Sequence, residues 1–378
     1  MLIQHSLFGD RPTVQPRVTC DLPASLPPWA ITRRSPSPRF VFGTAMRNSR
    51  KGRRDNDGVG ALLQRLGVEL PVVQAGMGGG LAGHQLAAAV SAAGGLGTIG
   101  ILAPGDLHRE IVAARLLSDR PLAVNLLLPF ARRRHFETAS GADVVVTFWG
   151  SPKRRTSKIW IHQCGSVEEA LAAREAGADG VIAQGVEAGG HVRGNVPAME
   201  LLARVRAAMS DDYPVMSAGN IADASDVTTR LEAGAEAVVC GTRFLMTEES
   251  GAHPIYKARL VAARETVLTE LFGVGWPAAH RVVPNEATRR WLGRDLRGPS
   301  WLRAFHRATA PFLSQVPVSI QTRLAATQKP SRPSFGPAAA TVDGPPNLVE
   351  AGPLYAGECV DRINDIRSAG ELVSELVP

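Results

Sequence analysis

The sequence predicts an α/β protein, a (β/α)8 TIM barrel with a small additional helical C-terminal segment, and three observations predict it. From Leu62 onward, short β-type apolar runs alternate with Ala/Leu-rich helical segments, the pattern of a parallel sheet with crossover helices. The runs number eight. Two segments, EEALAAREAGADGVIAQG and SDVTTRLEAGAEAVVCG, repeat one layout of helix, Ala-Gly-Ala and strand, as successive βα units would.

In chain order the strands are expected at Pro71–Ala75, Leu96–Leu102, Leu122–Leu128, Asp143–Trp149, Lys158–Gln163, Gly180–Gln184, Pro214–Ala218 and Ala237–Cys240. Helical stretches fall between most of them. His84–Ala93 ends at Gly94-Gly95, Ser166-Val-Glu-Glu169 forms a capping box ahead of ALAAREAGA, and Asp223–Ala233 again stops at glycine. One crossover is short: only Ser-Pro-Lys-Arg-Arg-Thr-Ser separates Gly150 from Lys158, where a parallel connection usually takes a dozen residues or more. Either the fourth helix is missing or one flanking strand is misassigned.

The remaining chain divides by composition. Residues 1–60 contain Pro-Ser-Pro-Arg and a run of basic residues at 47–54 without apolar periodicity, and read as a disordered or loosely attached basic extension. An organelle transit peptide or an early start codon would look the same. The barrel core is expected over 61–250, a helical substrate-side or peripheral segment over 251–324, a Pro/Ala-rich, poorly ordered linker over 325–348, and a C-terminal helix packing on the barrel within 349–378.

Charge narrows the partners. The net charge is +7, but residues 1–54 hold ten Lys/Arg and two Asp, so residues 55–378 balance 32 basic against 33 acidic side chains. A domain this close to neutral lacks the basic face that nucleic acid requires. No apolar run approaches the roughly 20 residues of a membrane span. The cysteines, Cys20, Cys164, Cys240 and Cys359, are far apart and read as reduced thiols of a cytoplasmic protein. No HxxxH, HExxH or acidic pair suggests a metal, and no GxGxxG follows a strand with a suitably spaced acid.

In such a barrel the chemistry sits at the C-terminal strand ends, with phosphate groups on the loops after strands seven and eight. Those loops read Ser217-Ala-Gly-Asn-Ile221 and Cys240-Gly-Thr-Arg243, and both leave backbone N–H groups free for a dianion. Ordinary βα turns would read alike. The sixth strand runs into GVEAGGHVRG, a glycine-rich turn that presents His191, either a proton-exchanging imidazole or a residue that caps a carbonyl. The first strand ends in Gln74-Ala-Gly-Met-Gly-Gly-Gly80, where Met77 and Gly78 could pack a flat aromatic ligand, although Met77 also suits a core. Asn125 and Gln184 are amides inside apolar runs, and a buried amide needs a partner such as backbone or a ring edge. A phosphate cradle, an amide pair and a glycine-lined first strand together are what flavin mononucleotide requires. His162 reads as a packed or supporting histidine, and His84 as a helix-start residue.

PVVQAGMGGG, AAAVSAAGGLGTIG, AVNLLLP, IAQGVEAGGH, SAGNI, CGTRFL and ELFGVGWP together resemble the nitronate monooxygenase family, formerly 2-nitropropane dioxygenases, over roughly residues 62–285 and again at Leu354–Glu358. The resemblance implies an FMN-dependent oxidoreductase that converts alkyl nitronates, and nitroalkanes, with O2 to carbonyl compounds and nitrite. It implies His191 as the catalytic residue, Met77, Gly78, Asn125, Gln184, Gly189 and Gly190 against the FMN, and Gly219, Cys240, Gly241 and Thr242 at its phosphate. Gly76 stands where proline often precedes the methionine, and the short Gly150–Lys158 link is expected to remove wall material on the substrate side. An FMN-dependent enoyl-(acyl carrier protein) reductase or NAD(P)H:quinone reductase shares the EAGGH pattern, and a non-catalytic flavin-binding barrel is a third reading. The partners expected are the small molecule and O2; the sequence leaves a homodimer open.

Overall fold

The computed structural model describes residues 60–313, 324–333 and 335–377, so the expectation for residues 1–60 lies outside them apart from Gly60. Eight parallel strands form one sheet: β1 (Val72–Gln74), β2 (Gly97–Ile99), β3 (Leu122–Leu127), β4 (Val144–Phe148), β5 (Ile159–Cys164), β6 (Gly180–Gln184), β8 (Val215–Ala218) and β9 (Val238–Cys240). Every predicted strand is present. The order runs β1-β9-β8-β6-β5-β4-β3-β2, and a parallel bridge between Val73 and Leu96 joins the two ends.

That last seam is short, and a side chain extends it. Gln74, fully buried, accepts the Thr98 N–H at 2.9 Å through Oε1, continuing the ladder beyond the last backbone bond. The barrel interior holds Val73, Leu96, Ala123, Val144, Val146, Ile161, Ile182, Met216 and Val239, and Leu62 and Leu63 plug it from the N-terminal end. These two leucines lie on α1 (Ala61–Leu66), whose first amides donate to Glu236 Oε1 at 2.8 and 3.1 Å. Burial of each leucine contributes about 1.5–3 kcal/mol.

The helices α2 (His84–Ala92), α3 (Pro104–Leu117), α4 (Arg133–Ala139), α5 (Val167–Glu175), α6 (Ala198–Ala208) and α7 (Ala224–Glu232) follow their strands. Ser166 Oγ accepts the Glu169 N–H, as the capping-box pattern predicts, and Asp223 caps α7 through Ser225 and Asp226. Among the described residues no helix lies between β4 and β5, and both flanking strands are genuine. The return is possible because ten residues, 149–158, can reach about 33 Å when extended, well beyond the ~17 Å of a five-residue strand. Arg154 pairs with Asp179 at 2.6 Å and Arg155 lies over the Phe136 ring, so this loop contacts the outer layer where a helix would.

Beyond β9, a second sheet crosses the barrel's mouth. β10 (Val267–Thr269), β11 (His280–Val283) and β12 (Leu354–Tyr355) are antiparallel, and β7 (Gly190–His191), from the turn after β6, pairs with β11. Helix α8 (Thr242–Leu245) follows β9 directly, α9 (Pro254–Val261), α10 (Glu286–Trp291) and α11 (Ser300–Leu313) lie in the segment expected to be helical, and β10 and β11 within that segment were not foreseen. The Pro/Ala-rich stretch 325–348 differs from its expectation as a poorly ordered linker. Phe335 and Ala340 are fully buried in it, Phe335 against Leu271, Phe272 and Val282, so apolar anchors outweigh its loop-like composition. After α12 (Leu348–Ala351), α13 (Ala369–Glu375) packs Leu372 and Val373 against Val72, Leu86 and Val90. No helix among the described residues is long and apolar enough to cross a membrane.

Candidate active site

Strand alternation decides which side chains reach the mouth. Val73, Ala123, Val146, Ile161, Ile182, Met216 and Val239 point inward, so Asn125, Phe148, Gln163, Gln184 and Ala218, an even number of residues further on, share the interior face near the strand ends. Asn125 on β3 and Gln184 on β6 therefore lie on one face. Gln163 joins them and was missed. Its place two residues after Ile161 was the available signal.

Gln184 is 4% exposed; its Nε2 donates to the His191 carbonyl at 3.1 Å, while its Oε1 is enclosed and has no partner. That bond ties the turn after β6 to the strand tip. His280 faces His191 across the β7–β11 pair. The imidazole of His191 stacks on the Trp276 indole at 3.5 Å and 14°, and its Nε2 is enclosed without a hydrogen-bond partner. Burial, and then His280, hold His191 well below the usual histidine range, so the ring is neutral near pH 7. Tyr355 lies 5.5 Å away, with its hydroxyl donating to the Pro337 carbonyl.

A strap from the C-terminal region crosses the same mouth. Gly357 donates to Thr242 Oγ1 at 2.8 Å and Glu358 N to the Glu187 carbonyl at 3.0 Å. Arg281 secures it, bonding the Val186 carbonyl at 2.9 Å and pairing with Glu358 at 3.0 Å. Gly189 is required by this approach: an added Cβ would lie 2.5 Å from Gly357 N and 2.6 Å from Ala356 C. Gly190, at φ +73, is left-handed.

The two loops expected to cradle phosphate lie beside this turn. Gly219 has φ +113, and a Cβ there would lie 3.4 Å from Ala188 N. Gly241 precedes α8, and Thr242 keeps its hydroxyl proton free to donate while accepting from Gly357. Cys240 is placed differently from a side-chain contact. Its thiol packs outward with Val72, Leu86 and Phe244, and its backbone lies in the β1–β9 ladder, where its carbonyl accepts from Ala75. Arg230, buried behind the loop, donates to the Gly219 carbonyl at 3.0 Å and holds NH1 without a partner.

Met77 is half-buried, packing on two clusters, and Gly78 runs alongside Ile101. The glycine at position 76 has a physical reason: a Cβ would fall 2.3 Å from Asn125 Cβ and 3.0 Å from Thr98 Cγ2. His162 points away from the mouth, its Nδ1 2.8 Å from Thr147 Oγ1, which also accepts from Trp160 Nε1 at 2.7 Å. Burial lowers it to about 4, consistent with a neutral supporting histidine. His84 begins α2 and meets Glu110 at 2.8 Å.

The side of the mouth at the β4–β5 link is aromatic, which the sequence reading missed. Trp276, from the ELFGVGWP segment, touches Phe130 at 5.3 Å and Trp149 at 5.5 Å as well as His191. The shortened crossover therefore does not leave this side bare: its first residue supplies a wall.

The chain is similar to FabK from Thermotoga maritima, with TM-score 0.66 and 28% identity over 83% of this chain and 94% of that one. It is also similar to a nitroalkane oxidase from Streptomyces ansochromogenes, with TM-score 0.64 and 29% identity over 83% and 96%. Barrel, mouth and neighbours define the class, an oxidoreductase on a (β/α)8 barrel. The family model described as Nitronate monooxygenase matches residues 61–142 and 141–378. The chain belongs to the nitronate monooxygenase family, which is generally flavin-dependent. A probable nitronate monooxygenase of Staphylococcus saprophyticus is 33% identical over 279 residues, 58% of this chain and 77% of the relative. A (3aS,4S,5R,7aS)-5-hydroxy-7a-methyl-1-oxo-octahydro-1H-indene-4-carboxyl-CoA dehydrogenase of Rhodococcus jostii is 35% identical over 201 residues, 50% of this chain and 56% of that one.

Proposed function

We propose that the protein is an FMN-dependent nitronate monooxygenase that oxidises alkyl nitronates, and nitroalkanes, with O2 to carbonyl compounds and nitrite. The observation that carries this reading is the neutral His191, whose enclosed Nε2 has no partner, together with the equally unpartnered Oε1 of Gln184. Buried polar atoms are seldom left unpaired, and both are suited to a ligand at the mouth.

The residues fit a flavin. Gln184 and Asn125 would read its ring edge, Met77, Gly78, Gly189 and Gly190 would approach its plane, and Gly219, Gly241 and Thr242 would hold its phosphate beside Cys240 at the end of β9. When bound, FMN supplies the electron transfer between nitronate and dioxygen from which carbonyl product and nitrite follow. His191 does the proton work. As an acceptor, Nε2 takes the α-proton of a neutral nitroalkane; in the other tautomer it donates to a nitronate oxygen. The Gln184 bond to its carbonyl and the β7–β11 pairing fix where the ring stands.

His191→Asn should abolish nitrite release from nitroalkanes while FMN stays bound, and undiminished turnover would remove the assignment. Rapid anaerobic bleaching by NADPH without nitrite release would favour a reductase, the alternative that shares the EAGGH pattern. FMN binding with neither nitrite release nor NAD(P)H oxidation would favour a flavin-binding protein without turnover.

A further inference from the structure

Trp149 combines three unusual properties. It stands at the tip of β4 with φ +64, a left-handed conformation that a bulky side chain rarely adopts. Its indole Nε1 is enclosed and has no hydrogen-bond partner. The Arg193 guanidinium lies over its ring at 5.0 Å, held by Glu169, and a cation on the π-face strengthens the N–H as a donor. Backbone strain of this kind costs of the order of 1–3 kcal/mol and persists where the surroundings demand it.

The ring's neighbour gives these properties a direction. Trp149 meets the edge of Trp276 at 5.5 Å, and the face of Trp276 lies on His191 at 3.5 Å. Two unpartnered ring nitrogens, Trp149 Nε1 and His191 Nε2, thus belong to rings that touch one flat indole. The flat ring of Trp276 occupies the place against the imidazole that a planar group would take. We infer that Trp149 is a substrate-positioning residue: its N–H and that of His191 receive the two oxygens of a planar nitronate in the slot filled here by Trp276. The inference rests on the nitronate reading and adds the group that selects an anionic, planar substrate. A nitronate carries a full negative charge spread over its oxygens, so it gains more from two N–H donors than the neutral nitroalkane.

The test uses the flavin-loaded enzyme and Trp149→Phe, which keeps an aromatic ring and removes only the donor and part of the bulk. With propionate 3-nitronate, KM should rise about 10- to 100-fold, the worth of one hydrogen bond to an anion, with kcat within a factor of about three. Flavin content and thermal midpoint should match the wild type. Nitrate, a planar oxyanion that does not react, should inhibit the wild type competitively and the variant more weakly by the same factor. Trp149→His restores a ring N–H and should recover part of the loss. Unchanged KM and nitrate inhibition in Trp149→Phe would overturn the inference, as would loss of flavin or midpoint without a change in KM. Wild-type enzyme that releases no nitrite would instead defeat the nitronate reading itself.

Discussion

Acidification should weaken this fold through its buried imidazoles. His162, His280 and His306 are each lowered from 6.5 to about 4, chiefly by burial, and all are almost fully enclosed. Since the folded-state pKa lies below the unfolded one, the unfolded chain binds more protons between the two values. The stability is therefore fully present above about pH 6.5 and declines as the pH falls toward 4. At about pH 5, some 1.5 units below the unfolded value, each imidazole has cost about 2 kcal/mol at ~1.4 kcal/mol per unit. Three together approach about 6 kcal/mol, comparable to the net stability of many domains. Urea unfolding at about pH 7.5 and about pH 5, for the wild type and His162→Asn, isolates one of the three. The amide of Asn can keep a bond to Thr147, so the variant should lose about 2 kcal/mol less on acidification than the wild type, whatever its offset at neutral pH. Identical pH dependence in both proteins would refute a neutral His162 in the native state.

Two further substitutions probe the strap and the barrel floor. Gly189→Ala brings a Cβ to 2.5 Å from Gly357 N, forcing the strap away; overpacking of about 1–3 kcal/mol predicts roughly 10- to 100-fold weaker FMN retention, read from the absorbance of purified protein. Flavin content equal to the wild type would separate the strap from the cofactor site. Glu236→Ala removes the acceptor for Leu62 N and Leu63 N and should lower unfolding free energy by about 1–3 kcal/mol, measured in urea. No change would mean that water serves those amides equally well.

The barrel could be read from sequence because its strands are parallel and buried on both faces, so each is a continuous apolar run bounded by turns. The same continuity hid the orientation of single residues. Cys240 and Val239 are equally apolar, and only the coordinates show Val239 inside the barrel and the Cys240 thiol behind it. Polar residues broke the ambiguity: Asn125 and Gln184 stood out in their runs and do face the mouth. The second sheet had no comparable signal. Its strands are two to four residues long, and Val282 pairs with Tyr355 across more than seventy positions, so local periodicity carries nothing about it. Trp149 and Trp276 were hidden for another reason, since an aromatic residue beside apolar neighbours reads as core until its unpaired N–H or its stacking partner is seen.

The missing helix and the strained tryptophan have a common origin. A chain that leaves β4 and must return to the floor within ten residues has no room for a gradual turn, and Trp149 and Gly150 make the reversal with φ of +64 and +82. Glycine tolerates such an angle, whereas tryptophan does so only against strain. On the outer face, the space a helix would cover is filled by Trp160, Thr147 and His162, joined by hydrogen bonds of 2.7 and 2.8 Å. On the mouth side the same reversal presents an indole to Trp276. Shortening the crossover thus relocates bulk from the helical layer to two tryptophans, one that seals the outside and one that borders the proposed substrate slot. A helix inserted between Gly150 and Lys158 would relieve the reversal, and with it the constraint that holds Trp149 against Trp276.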